Sequence, residues 1–370
     1  MQSQKGVVLP LLYLVTGAGG FVGYRLTKRL VRESSECRVR MLDIRMPKQN
    51  FQEDPELTAE QRARVTFHTC DLRELASLQS LCSGVDVVFH LASYGMSGRE
   101  MCDHDTTRAV NVLGTSNLLY ACRDQGVRVL VYTSTYNVVF SGNKVVAGNE
   151  SQPYFSLEDH IDVYSQTKAI GDVLHVQSLS AEQMVLGVNE SPESASADGK
   201  QASGIYGDGE ERHFPRIFGM MSMGFALFRF GDDHVLSDWV YVDNLVHGLI
   251  LCAFALCQEQ SAAVGQAYFI CDGVPINNFQ FLQQFACNLG YHNVFVWKLP
   301  ATMMFYTGWA IELLHRWLSR HWNFLPLITR AEVYKVAVTH YFKIDKARRE
   351  LGYSPIVSPD VAIPRSIEYY

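Results

Sequence analysis

Thr16 to Gly23 reads TGAGGFVG and stands between a short apolar run, Leu11 to Thr16, and a helical stretch beginning near Phe21. No other feature constrains the chain as strongly. A strand that runs through a glycine turn straight into a helix leaves the helix's first backbone N–H groups open to an anion. Gly17 allows the tight turn, Gly20 lets those N–H groups approach a pyrophosphate, and Gly23 lets helix and strand pack closely. Three glycines alone also fit an ordinary turn, but the strand-turn-helix context points to nucleotide binding.

The rest of the first half keeps the same rhythm. Arg38 to Asp43, Val65 to Cys70, Val85 to Ala92 and Val127 to Ser134 read as further strands separated by helix-length segments. Val, Leu and Phe crowd these strands without polar alternation, as expected when helices cover both faces of a parallel sheet. The fold class predicted is α/β, a Rossmann-type doubly wound parallel sheet. After residue 204 the rhythm loosens into Gly, Pro and aromatic-rich sequence, read as a smaller C-terminal substrate-binding lobe. The division expected is 9–203 for the nucleotide-binding core, 204–357 mainly for the lobe with some segments returning to the core, and 358–370 for a loose tail without a final helix.

Within that frame, Asp43 ends the second strand about 20 residues past the glycines, where a carboxylate accepts hydrogen bonds from both adenosine ribose hydroxyls and repels a 2′-phosphate. NAD is therefore favoured over NADP, with Arg45 able to hold a phosphate only if its side chain swings in; the plain alternative is a strand-end Asp capping a turn. Asp71, after the third strand, suits the adenine amino group or a helix cap. Tyr164-Ser-Gln-Thr-Lys168 puts a phenol and an ammonium on one helical face, and nearby positive charge favours a phenolate able to act as base. It follows a fifth strand that carries hydroxyls, Tyr132-Thr-Ser-Thr-Tyr136.

Composition excludes other classes. With 32 basic against 38 acidic residues, a formal charge of −6 and no Lys/Arg cluster, nucleic acid is not a partner. The nine cysteines are odd in number and lack a CxxC pair, so no metal site is expected and they read as reduced core residues. The apolar N-terminus is read as a first strand rather than a signal peptide, which makes the sequons at Asn149 and Asn189 chance occurrences. Charged residues, at 19%, are few enough to suggest apolar surface. Ala301 to Leu314 is apolar nearly all round and runs into His315, Arg316, Arg320 and His321 among Trp309, Trp317 and Trp322. It is too short for a confident bilayer crossing and suits a membrane interface or a buried helix.

TGAGGFVG, HLAS (His90 to Ser93), NVLGT (Asn111 to Thr115), YTST and YSQTK occur in the order of an extended short-chain dehydrogenase/reductase. More narrowly, HLASYGMSGRE, YTSTYNVVFSG, GIYGDGEERH, VYVDNLVHG and VTHYF resemble the 3β-hydroxysteroid dehydrogenase/isomerase branch, especially its family 42E members, over residues 9 to 355. The resemblance implies an NAD-dependent oxidoreductase that oxidises a CH–OH group of a sterol-like apolar alcohol, or reduces the ketone. Tyr164 would be its general acid/base, and Lys168 would lower the Tyr164 pKa and bind the nicotinamide ribose. Thr135 would polarise the substrate oxygen, with Ser134 as fallback. Asn111 would bend its helix and hold a water, and Gly204 to Gly207 would lie beside nicotinamide and substrate. It also implies an intracellular, membrane-associated protein, at the endoplasmic reticulum, with cytoplasmic as runner-up, and leaves a homodimer open. Two rival readings are a nucleotide-sugar epimerase or dehydratase and a catalytically impaired NAD-binding protein. The second rests on a departure: where the family has an apolar strand ending in Arg-Pro before GIYG, this chain has Lys200 to Ser203. Met184 to Val188 is expected to serve as the sixth strand, with the polar Asn189 to Ser203 bulging into solvent.

Overall fold

The computed structural model describes residues 11–96, 98–179, 200–202, 204–258, 261–318 and 328–370. Its centre is a seven-stranded parallel sheet. The first five strands are β1 (Leu12–Thr16), β2 (Arg38–Asp43), β3 (Val65–Thr69), β4 (Val87–His90) and β5 (Val129–Thr135). They lie in the order β3-β2-β1-β4-β5, followed by strands Lys200–Ala202 and Tyr268–Ile270. The order reverses between β1 and β4, which opens a crevice at the carboxyl ends of these two strands, where such sheets bind ligands.

Helix α1 (Phe21–Glu33) buries Leu26, Leu30 and Val31 and packs beside helix Val242–Leu256. Helices Leu75–Cys82, Thr115–Asp124 and Val163–Leu179 pack against one another in a second layer. With both faces covered, β4 is buried along its whole length, its apolar run of Val87 to Phe89 ending on the buried His90. Helix Val242–Leu256 and strand Tyr268–Ile270 come from the second half of the chain yet belong to this core.

Three small parallel pairs sit beyond the sheet: Gly204–Tyr206 with Trp239–Tyr241, Phe228–Phe230 with Trp297–Leu299, and Val145–Gly148 with His340–Phe342. Trp239 stacks on Phe281 at 4.2 Å, and Tyr206, Phe214 and Phe285 close around them. Each large ring fully buried in this way contributes about 1.5–3 kcal/mol. Asp272, just past the seventh strand, accepts hydrogen bonds from the Tyr206 hydroxyl at 2.9 Å, the Tyr241 backbone N–H at 3.0 Å and Asn244 Nδ2 at 2.7 Å. One buried carboxylate thus ties the lobe's strands to the core.

Three expectations are corrected. The sixth strand is Lys200–Ala202, paired with β5 from Thr133 to Thr135 and with Tyr268–Ile270. Position in the sheet, set by two strong neighbours, overrides this segment's weak intrinsic strand preference. Met184 to Val188 and residues 189–199 lie outside the described residues. The chain end is no loose tail: Ser358 precedes a helix, Pro359–Tyr369, that starts on a proline suited to a first turn and buries Ala362, Ile363 and Ser366. Tyr370 then packs on Phe214 and Phe218 and donates its hydroxyl to the Glu210 carbonyl. Finally, all nine cysteines are free thiols, but Cys257 and Cys287 are exposed rather than in the core.

The sixth strand is open to test. A proline at Gln201 removes a backbone donor between two paired strands, so Gln201→Pro is expected to lower unfolding stability by about 2 kcal/mol or more. Urea denaturation reads this directly; an unchanged midpoint would return the segment to the loop.

Candidate active site

The nucleotide-binding end is built from the turn after β1. Gly17 adopts φ +69°, and a Cβ there would fall 2.7 Å from the Ala92 backbone nitrogen, so the turn and the segment after β4 approach as backbone against backbone. At Gly23 a Cβ would meet the Gly17 carbonyl oxygen at 2.4 Å. Gly20 is the N-cap of α1 and supplies no side-chain cap, and the first turn of the helix carries no acidic residue. Within the turn the Ala18 and Gly20 N–H groups donate to the Leu42 and Gly17 carbonyls, so the N–H groups left for a dinucleotide's pyrophosphate are those of the first turn of α1.

Asp43 borders this turn. Its Oδ2 accepts from the Gly19 N–H at 3.0 Å and its Oδ1 from the Arg45 N–H at 3.2 Å. Gly19, which sequence reasoning left without a role, brings that N–H to the carboxylate; a side chain there would strike the Arg45 carbonyl. Asp71 follows β3, and both its oxygens are held by Arg73, with Nε at 3.0 Å from each. That bond to Arg73 is the main influence holding the Asp71 carboxyl below its ordinary range.

A buried histidine, His90, connects the turn to the second helical layer. One ring nitrogen lies 2.7 Å from Thr16 Oγ1 and the other 3.0 Å from Thr115 Oγ1, so the ends of β1 and β4 and the start of helix Thr115–Asp124 move as one. Asn111 sits in a π-helical turn, Ala109–Gly114. Its Oδ1 accepts from the Tyr94 N–H at 2.8 Å, while its Nδ2 donates to the Tyr94 carbonyl at 2.8 Å and to Thr167 Oγ1 at 2.9 Å. Thr167 lies between Tyr164 and Lys168, so Asn111 fastens the helix that carries them.

That helix, Val163–Leu179, packs on β5. Tyr164, Lys168, Ser134 and Thr135 are all buried. Lys168 Nζ donates to the Thr133 carbonyl at 2.8 Å and lies 4.6 Å from the centre of the Tyr132 ring and 6.0 Å from that of Tyr164. Burial pulls its ammonium down to about 8. Burial also pushes the Tyr164 phenol up to about 12, against a hydrogen bond from Ser93 and the charge of Arg212. Ser93 and Arg212 were not singled out in the sequence, although HLAS and GDGEER contain them. Arg212 also lies 3.8 Å from Glu100.

The two neighbouring hydroxyls differ. Ser134 donates its proton to Asp172 Oδ2 at 2.7 Å, whereas Thr135 Oγ1 accepts from the Asn137 N–H at 3.4 Å and keeps its own proton to donate. The GIYG stretch lies against α1: a Cβ on Gly207 would fall 3.3 Å from the Phe21 ring. The Glu210 carboxylate caps the next helix by accepting from the N–H groups of Arg212, His213 and Phe214.

Residues 14–301 match the 3-beta hydroxysteroid dehydrogenase/isomerase family. The chain belongs to this family. Among its relatives is the short-chain dehydrogenase/reductase family 42E member 1 of Danio rerio, 42% identical over 344 residues that cover 93% of this chain and 84% of that one. Another is the 3beta-hydroxysteroid-dehydrogenase/decarboxylase isoform 1 of Arabidopsis thaliana, 31% identical over 96% of this chain and 79% of its own length. A solved dTDP-glucose 4,6-dehydratase, DesIV of Streptomyces venezuelae with NAD bound, superposes with a TM-score of 0.70 at 21% identity and covers 97% of each chain. That likeness is one of fold, the doubly wound parallel sheet expected from the sequence.

The tightest packing in the site yields a test. In Gly23→Ala the new methyl meets backbone atoms of Gly17 and Ala18, and backbone cannot yield as a flexible side chain would. NAD affinity measured by calorimetry is expected to fall about tenfold or more as the turn shifts; unchanged affinity would show that the turn tolerates displacement.

Proposed function

We propose that this chain is an NAD-dependent dehydrogenase acting on the CH–OH group of a steroid-like apolar alcohol. The observation that supports the reading is that Tyr164, Lys168 and Thr135 are all buried, with the Lys168 ammonium 6.0 Å from the centre of the Tyr164 ring and bonded to the Thr133 carbonyl two residues before Thr135. NAD supplies a hydride acceptor when bound; its pyrophosphate would lie over the glycine turn at the first N–H groups of α1, its adenosine ribose would be held by Asp43 and its nicotinamide ribose by Lys168. Asp71 is assigned to the adenine amino group, for which it would exchange part of its bond to Arg73.

Tyr164 takes the proton of the substrate hydroxyl. Thr135, rather than Ser134, donates a hydrogen bond to that oxygen, because the Ser134 proton is already committed to Asp172. Asn111 keeps the helix at the right height by way of Thr167. The sixth strand supports catalytic competence, since Lys200–Ala202 pairs with β5 at Thr133 to Thr135, beside the hydroxyls proposed to act. The steroid preference draws on the names of the relatives, two of which are 3beta-hydroxysteroid dehydrogenases. Among the Met and Phe side chains of the smaller lobe, Met221 fills a small core with Ala226, Ala286 and Val294, whereas Met223 and Phe228 are exposed. An apolar substrate is therefore supported by the relatives more than by these side chains. In Tyr164→Phe, NAD affinity is expected to stay within a few-fold while NAD reduction with a sterol panel falls by about 100-fold or more. Retention of a tenth of the rate would show that another group moves the proton.

We also infer that the chain rests on a lipid surface through helix Ala301–Leu318. Its outward face carries Met303, Tyr306, Trp309, Leu313 and Trp317, with Tyr306 67% and Trp317 72% exposed. Its one carboxylate, Glu312, turns inward to Arg330 at 2.8 Å. The usual polarity of a surface helix is thus inverted. Among the described residues no helix is long and apolar enough to cross a membrane, so the contact is interfacial. The sequence of this stretch also carries two basic residues, Arg316 and Arg320, which suit anionic headgroups. The protein is expected to float with anionic phospholipid vesicles, and a Trp309→Ser, Trp317→Ser double variant to float several-fold less; wild-type protein that stays wholly unbound would refute the contact.

A further inference from the structure

Asp172 lies one helical turn past Lys168 and two past Tyr164, on the same face of the helix. Its side chain is 0% exposed. One oxygen, Oδ2, accepts from Ser134 Oγ at 2.7 Å and from the Tyr154 hydroxyl at 3.2 Å; the other, Oδ1, is buried without a hydrogen-bond partner. A half-satisfied carboxylate in a dry interior is costly to keep, and nothing in the packing of the helix asks for one.

Its use is found one turn earlier. The Lys168 ammonium rests on two neutral partners, the Thr133 carbonyl and the Tyr132 ring. Gly171 makes room for that ring, since a Cβ there would fall 2.5 Å from the Tyr132 hydroxyl. A buried ammonium among neutral groups tends to lose its proton. We propose that Asp172 is a positioning residue of the site, holding Lys168 in its charged form and, through Ser134, fixing the end of β5 on which Thr135 stands. The proposal rests on the reading of Lys168 as the ligand of the nicotinamide ribose.

The groups facing this pair support it. Burial draws Lys168 down to about 8 and Asp172 up to about 7, and each charge opposes the drift of the other. Ser134 on β5 and Tyr154 before the helix stabilise the ionised carboxylate. Tyr132 on β5 and Tyr164 on the helix feel the charge of Asp172, which discourages their ionisation. Removing the carboxylate therefore lowers the pKa of Lys168 further.

The test follows the affinity for NADH, read by fluorescence titration from about pH 6 to 10, and so needs no known substrate. Wild-type affinity is expected to fall on the alkaline side as Lys168 loses its proton. Asp172→Asn keeps the shape and an acceptor for Ser134, and should move that fall to lower pH by about one unit. Asp172→Glu should restore it in part. Tyr154→Phe, outside the helix, should shift it in the same direction by less and carries the test if the Asn variant fails to fold. An unshifted profile in Asp172→Asn, or in Tyr154→Phe where it stands in, would overturn the proposal. Lys168→Met separates the two readings. Loss of the alkaline fall in that variant confirms that Lys168 is the titrating group, and its persistence would overturn the reading of Lys168 itself.

Discussion

A lysine ammonium carried out of water into the space between β5 and a helix is the interaction around which the site is arranged. Lys168 has no solvent to stabilise it, so its surroundings supply a carbonyl, an aromatic face and a carboxylate at longer range. Each of these makes a demand on the chain. Tyr132 must lie flat beneath the ammonium, Gly171 must lack a side chain, and Ser134 must turn inward to Asp172. The inward turn of Ser134 leaves Thr135, the next residue along the strand, as the hydroxyl with a proton to give.

The same principle of backbone fixed by buried polar contacts runs through the cofactor end. His90 bridges two threonines and joins the glycine turn to the helix layer behind it, and Asn111 joins the segment after β4 to the helix of Tyr164. The glycine turn and the helix that carries Tyr164 are thus each fixed to the segment after β4 by buried polar contacts. The lobe is attached more indirectly. Asp272 gathers Tyr206, Tyr241 and Asn244, Glu210 caps the following helix, and the C-terminal helix closes over both through Tyr370.

Sequence alone determined what depends on local spacing. The glycine turn, the five strands that follow one another in hydrophobic runs, and the four-residue interval of Tyr164 and Lys168 all express short-range geometry, where backbone conformation and periodicity dictate the outcome. Asp43 was legible for the same reason, because the end of β2 is a position that the glycines locate. Tertiary structure decided whatever depended on distant partners. Lys200–Ala202 is a strand because β5 and Tyr268–Ile270 present unpaired edges to it, which its polar composition does not announce. The final helix, with two prolines among its residues, is held by burial of Ala362 and Ile363 and by aromatic contacts some 150 residues away in sequence. Ser93 and Arg212 carried no spacing signal of their own, and Asp172, although it shares a helical face with Tyr164 and Lys168, gains its contacts with Ser134 and Tyr154 only in the fold. They join the site because the fold brings three segments to one phenol and one ammonium, and the free energy of a buried charge depends on those neighbours and not on the chain beside it.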